Sequence, residues 1–242
     1  MAQGRFLTGS TMGHVSRMTA TGALGITFVF LVDAANLFWI SQLGDARLVA
    51  AIGFAFAIQF FSVSSGVGLM IAATALVSRS IGRGEQAEAR RQAGSAAAFG
   101  FVMQALLAGV VIYFRYDILK LAGATGETLD LAARYLAMTL PSLTFMVIGL
   151  VASGVLRAEG DGRRAMYVTF WSGTVSIFVD PLLIIGLGLG LDGAAIGLNI
   201  SRIVLVTAAL VFATRVHDLI AWPDMHDMQR HLRPFVAIAA PA

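Results

Sequence analysis

Six stretches of this chain are apolar over at least about 20 residues, the length an α-helix needs to cross the ~30 Å hydrocarbon core of a bilayer. They fall at about 18–43, 47–78, 92–114, 131–156, 165–189 and 193–214. The expected fold is therefore all-α and integral to a membrane, a bundle of six transmembrane helices. Composition agrees: the mean hydropathy is +0.80 and 13% of residues are charged, about half the ~25% of a soluble domain. The 26 glycines fit spans that pack closely through small residues.

Positive charge sets the expected orientation. The N-terminus and the second–third, fourth–fifth and sixth–seventh connections hold Arg5, Arg17, Arg79, Arg83, Arg90, Arg91, Arg157, Arg163, Arg164, Arg215, Arg230 and Arg233. The other side holds Arg47, Arg115, Lys120 and Arg134, and Arg202 falls inside the sixth span. This asymmetry predicts a cytoplasmic N-terminus. It also accounts for the basic pI, near 9.8, without nucleic acid as a partner; the partner expected is membrane lipid. The polar first seventeen residues and the long first run predict a retained helix, not a cleaved signal. With no cysteine, disulfides and thiolate metal sites are excluded.

The predicted organisation is a six-helix lobe over 1–214, a cytoplasmic linker over 215–232 and the start of a seventh helix over 233–242. Ten residues are too few to span, so the chain is expected to be cut within that helix. The linker's histidines, His217 to His231, read as solvated rather than as a metal site. Two internal echoes suggest related roles for the first two and last two spans. Arg79–Gly84 and Arg157–Gly162 share R-x-x-G-x-G, and Ala50–Gly53 repeats as Ala194–Gly197.

Two carboxylates lie inside apolar runs, Asp33 in the first span and Asp180 in the fifth. Each costs about 2.5–3.5 kcal/mol on insertion scales, so each must face protein or water and usually has a task. Each sits sixteen residues beyond a preceding arginine, Arg17 or Arg164, which places both ~24 Å from the cytoplasmic end. Helical spacing gathers a supporting set: Asn36, Tyr135, Ser176, Asn199 and Arg202, with Thr169 and Ser172 on the stripe that leads to Asp180. Such a chamber could bind and release protons or hold Na⁺ at Asp33 and Asp180; no other metal and no cofactor is expected. Arg202 could instead pair permanently with either aspartate. Gln59 and Gln104 read as packing or cavity-lining groups. Pro141 and Pro181 interrupt helical hydrogen bonding, and breaks beside a buried carboxylate are typical of transporter sites.

Four ordered stretches carry a family resemblance: Val32-Asp33 with Leu43-Gly-Asp45 and Leu48–Gly53; the turn at Gly82–Gly84; Leu156–Arg163; and Asp180–Ile184 with Gly193–Ile196. The chain resembles the N-terminal half of a multidrug and toxic compound extrusion (MATE) transporter of the DinF/NorM type. That resemblance implies twelve helices in two lobes, of which the C-terminal lobe is missing here. It implies export of small organic, cationic or amphipathic substrates in exchange for H⁺ or Na⁺, and residence in a cell membrane, the inner one if bacterial. It assigns cation coupling to Asp33 and Asp180, with Tyr135 near them. Departures are Ser176 where relatives often carry Asn, Leu198 with Asn199 in place of an early hydroxyl in the sixth span, no proline in Met18–Thr21, and the added charge of Arg202.

Three other readings compete. A lipid-linked precursor flippase of related fold would favour a more cationic cavity wall than Arg202 alone provides. An aspartyl protease dyad would use two buried aspartates, but the spacing Gly188-Leu-Gly-Leu-Asp192 misses the motif by one residue. A half-transporter fragment without function completes the set.

Overall fold

The computed structural model describes residues 11–222 together with 227, 228, 230, 231 and 235. The elements are α1 (Thr11–Ser41), α2 (Ala46–Gly82), α3 (Gln86–Tyr113), a short α4 (Arg115–Leu121), α5 (Gly126–Ala158), α6 (Gly162–Pro181) and α7 (Gly190–Val211). Five-residue π-helical turns, Leu182–Gly186 and Phe212–Val216, extend α6 and α7. Six of these helices are long and apolar enough to cross a membrane, and they coincide with the six runs expected. The observed helices start earlier because polar residues at a span's end still join the helix: α3 begins at Gln86, not at 92. α4 is a feature the apolar pattern misses, a short helix in the third–fourth connection that buries Leu119 completely.

Helix starts are specified by local chemistry. Asp45 caps α2 by accepting from the Arg47 backbone N–H at 2.9 Å, and Asp161 caps α6 by accepting from the Arg164 N–H at 3.2 Å. The R-x-x-G-x-G echo does not adopt one conformation. The left-handed residue is the last glycine of the first copy, Gly84 (φ +77°), but the first glycine of the second, Gly160 (φ +88°). The second echo is likewise unequal: a Cβ at Gly53 would meet nothing within 4 Å, whereas one at Gly197 would collide with Asp180.

α5 is the central helix. Of its most apolar stretch 67% is buried, against 12% for α1, which lies at the periphery on α6. Small residues set these approaches. A Cβ at Gly154 would lie 2.8 Å from Met70 Cγ on α2, and one at Gly149 would lie 3.1 Å from Val206 Cα on α7. A Cβ at Gly173 would lie 2.8 Å from Val32 Cγ2, so α1 can seat Phe28 and Val32 directly on the α6 backbone, where Phe28 stacks on Phe170 at 4.3 Å. Without a hydrophobic drive between helices in lipid, such close van der Waals packing supplies much of the association.

The chain after α7 corrects one expectation. The described residues after α7 are not all solvated: Leu219, within the expected linker, and Phe235, beyond it, are buried in the core cluster formed by α2, α3 and α5. His217 bonds to Asp161, and His231, 4% exposed, bonds to Glu88 and Ser95. The expected seventh helix over 233–242, apart from Phe235, and His226 lie outside the described residues.

Candidate functional site

Asp180 sits at the last turn of α6, directly before Pro181 and the π-helical turn, and is 2% exposed. Both donors that reach its carboxylate converge on one oxygen. Ser176 Oγ, one turn earlier on α6, donates to Oδ2 at 2.6 Å, and Asn36 Nδ2 from α1 donates to the same atom at 2.9 Å. Oδ1 is buried with no hydrogen-bond partner among the described residues. It rests against Gly197 of α7, where a Cβ would overlap it, while a Cβ at Gly193 would lie 2.7 Å from Leu183 O in the π-helical turn. Gly193 and Gly197 thus form a smooth track on α7 along which the Asp180–Pro181 break is seated.

The equal-depth pairing of Asp33 with Asp180 takes a different form in three dimensions. Asn36 is the α1 residue that touches Asp180, and Asp33 lies one turn away on an exposed face of α1. Three helical residues subtend about 300°, so with Asn36 aimed at α6 the Asp33 side chain is turned by about 60° and offset by ~4.5 Å. Asp33 nonetheless lies within electrostatic reach of Arg202 and of Tyr135, and Tyr135 within reach of Asp180. Tyr135 is 5% exposed and packs in the core around α5.

Arg202 overturns the permanent-pair alternative. Its guanidinium bonds to neutral acceptors instead: Nη1 donates to Thr139 O and to Ser142 Oγ, both at 2.7 Å, and Nη2 donates to Gln59 Oε1 at 2.8 Å. Asn199 likewise turns away from the carboxylates, donating from Nδ2 to Met138 O at 2.9 Å. Both acceptor carbonyls lie in the turn before Pro141, whose missing N–H leaves the Ala137 carbonyl without its helical donor. Gln59, read from the sequence as packing, is the partner of a buried cation, and Gln104 does pack, donating to Ser62 O at 3.2 Å. Ser172, expected on the stripe to Asp180, donates to Ser201 O at 2.8 Å and ties α6 to α7.

The result is a polar layer across the half of the bundle away from its arginine-rich connections. One carboxylate oxygen of Asp180 there is well donated to, and the other has no donor among the described residues. An arrangement of this kind can take up a small cation at Asp180 and give it back. No cluster of three or more metal-ligating side chains occurs among the described residues.

Fold and site together define a six-helix membrane lobe of the transporter class. Residues 23–182 match the MatE family, and the chain belongs to it. Its relatives include a protein described as an FAD transporter from Shewanella oneidensis, 28% identical over 93% of this chain and 51% of its own. Multidrug export protein MepA of Staphylococcus aureus is 24% identical over 82% of this chain and 44% of its own. Among solved structures, the bent form of the Vibrio cholerae MATE transporter VcmN superposes with a TM-score of 0.86 at 27% identity, over 95% of this chain and 52% of that one. A MOP superfamily transporter from Pyrococcus furiosus superposes with a TM-score of 0.89 at 22% identity, over all of this chain and 54% of that one. The chain spans about half the length of the curated relatives it matches. The family is one of transporters, not of enzymes.

Proposed function

We propose that the chain is the ion-binding lobe of a twelve-helix antiporter that exports organic molecules in exchange for H⁺ or Na⁺. The observation that carries this reading is Asp180, buried within a span, with Oδ2 held by Ser176 and Asn36 and Oδ1 without a donor. Burying a charge with half its acceptors idle is costly. Occupation by a cation relieves that cost, so ion occupancy biases which packing of α6 against α7 is favoured. A ligand shifts such an equilibrium only through its differential affinity for the two states, and drug and ion are coupled if each prefers a different one. The π-helical turn after Pro181 and the glycine track on α7 supply the element that shifts.

In this reading the arginine-rich end faces the cytoplasm, the polar layer opens to the other side, and the C-terminal lobe supplies the second wall of the cavity. Family membership and the distribution of Lys and Arg support that orientation. The relatives described as an FAD transporter and as a multidrug export protein support organic cargo. The test is Asp180→Asn in the full-length protein, assayed for substrate export as the H⁺ and Na⁺ gradients are imposed one at a time. Loss of ion-driven export with folding intact is the expected result; export that follows either gradient as in the parent protein overturns the reading.

A further inference from the structure

Away from Asp180, a second set of polar side chains is buried where α2 and α3 pack on α5. Ser62 of α2 is 1% exposed and Gln104 of α3 is 2% exposed. Inside a membrane span no bulk water completes an unmet polar group, so the hydrogen bonds of such a set can be counted. Ser62 O accepts from Gln104 Nε2 at 3.2 Å and from Ser65 Oγ at 2.7 Å. Ser65 Oγ also lies 3.3 Å from Gln104 Oε1. A hydroxyl has one proton and cannot serve both acceptors. With the shorter contact made, Gln104 Oε1 has no donor among the described residues. Ser62 Oγ, buried beside it, has no partner among them either. The set is therefore one donor short at an amide oxygen and one partner short at a hydroxyl.

Ser62 and Gln104 line the same cavity. The rest of its wall is apolar, with Gly66 on α2 facing Met146, Val147 and Leu150 on α5. Gly66 leaves that space open: a Cβ there would lie 3.4 Å from Leu150 Cδ1 and 3.5 Å from Val147 Cγ2. The cavity leaves about 10 Å³ for the centre of a water-sized sphere, at the lower edge of the roughly 10–15 Å³ that one water needs. No charged side chain lines it, which leaves an ion without a counter-charge. A water fits the chemistry as well as the volume. It can donate to Gln104 Oε1 and accept from Ser62 Oγ, two of the 2–4 partners that a buried water has.

We propose that this cavity is a binding site for one ordered water, held by Ser62 Oγ and Gln104 Oε1 and bridging α2 to α3. Gln59, the partner of Arg202, lies one turn before Ser62 on the same face of α2. The polar layer built on Arg202 thus continues past α2 and reaches α3 through the water. The site is separate from Asp180 and does not depend on which ion or cargo the protein moves.

Melting of the full chain in detergent and X-ray radiolytic footprinting test the site together. Alanine is a better helix former than serine and carries no polar atom. Ser62→Ala therefore holds or raises the melting temperature if Ser62 Oγ has no ligand. With a water on it, the change is expected to lower the melting temperature by about 2–4 °C. In footprinting, X-rays split ordered water in place and the radicals oxidise the side chain beside it. Met146 is that side chain, and Met138, on the same helix but outside the cavity wall, is the control. Oxidation of Met146 is expected to fall about threefold or more in Ser62→Ala as the water is lost, with Met138 unchanged. A melting temperature that holds or rises overturns the proposal, as does equal oxidation of Met146 in the two chains. If Ser62→Ala fails to fold, Gly66→Ala takes its place. Its methyl group fills the cavity, so undiminished oxidation of Met146 there overturns the proposal and a fall upholds it.

Discussion

Gly197 and Asp180 occupy each other's space: the carboxylate oxygen that lacks a hydrogen-bond donor lies where a Cβ at position 197 would be. The glycine on α7 is therefore a condition for the acid on α6 to be buried in this way. Gly197→Ala is expected to force either the carboxylate or α7 to move, at about 1–3 kcal/mol for overpacking. Thermal unfolding in detergent should fall accordingly, and ion-driven export should fall more than the stability loss explains. A Gly53→Ala control, where a Cβ meets nothing within 4 Å, should leave both unchanged.

Asn36 holds Asp180 across the α1–α6 contact through one hydrogen bond of 2.9 Å. Asn36→Ala is expected to cost about 0.6 kcal/mol if that bond is ordinary for a membrane interior, and up to ~1.7 kcal/mol if it is strong. Ser176→Ala should cost a similar amount, and the double change more than the sum, because Oδ2 then has no donor left. A double-mutant cycle read by thermal or denaturant unfolding checks this.

Gln59 accepts from a buried guanidinium, so its removal leaves an N–H without a partner. Gln59→Leu is expected to destabilise by about 1–3 kcal/mol, while Gln59→Leu combined with Arg202→Met recovers a large part of the loss. Unfolding measurements on the three variants check it. Equal losses in the single and double variants would sink the assignment of Gln59 as the partner of Arg202.

Asp161 predicts acid sensitivity at the arginine-rich end. Burial pushes its carboxyl up, but the Arg164 backbone N–H, His217 and the Arg164 guanidinium outweigh this and hold it below the ordinary 3.8. A carboxyl depressed in the folded state contributes stability that is present above its unfolded pKa and lost as pH falls through the folded one. The contribution is thus complete above about pH 4 and fades below it. Asp161→Asn should lower stability by about 1–2 kcal/mol near pH 7, the cost of a weakened cap and lost ionic bonds, with the gap to the parent narrowing under acid. Hydrogen exchange of the first turn of α6 at the two pH values checks the sign.

The number of spans, their order and their approximate ends were legible in the residues, because a bilayer poses a one-dimensional question that run length answers. The cost of a buried acid likewise made Asp33 and Asp180 conspicuous before any coordinates. Rotation about a helix axis is another matter. Whether Asp33 or Asn36 faces α6 depends on how Phe28 and Val32 seat on Gly173, a contact between residues about 140 positions apart. The partners of Arg202 are a carbonyl and two side chains contributed by two other helices. His217 and His231 read as solvated in a polar stretch, yet tertiary packing sets His217 against Asp161 and buries His231 against Glu88. Apolar length and the price of an intramembrane charge are local properties of the chain. Which polar atoms meet is decided only when close-packed helices choose their faces.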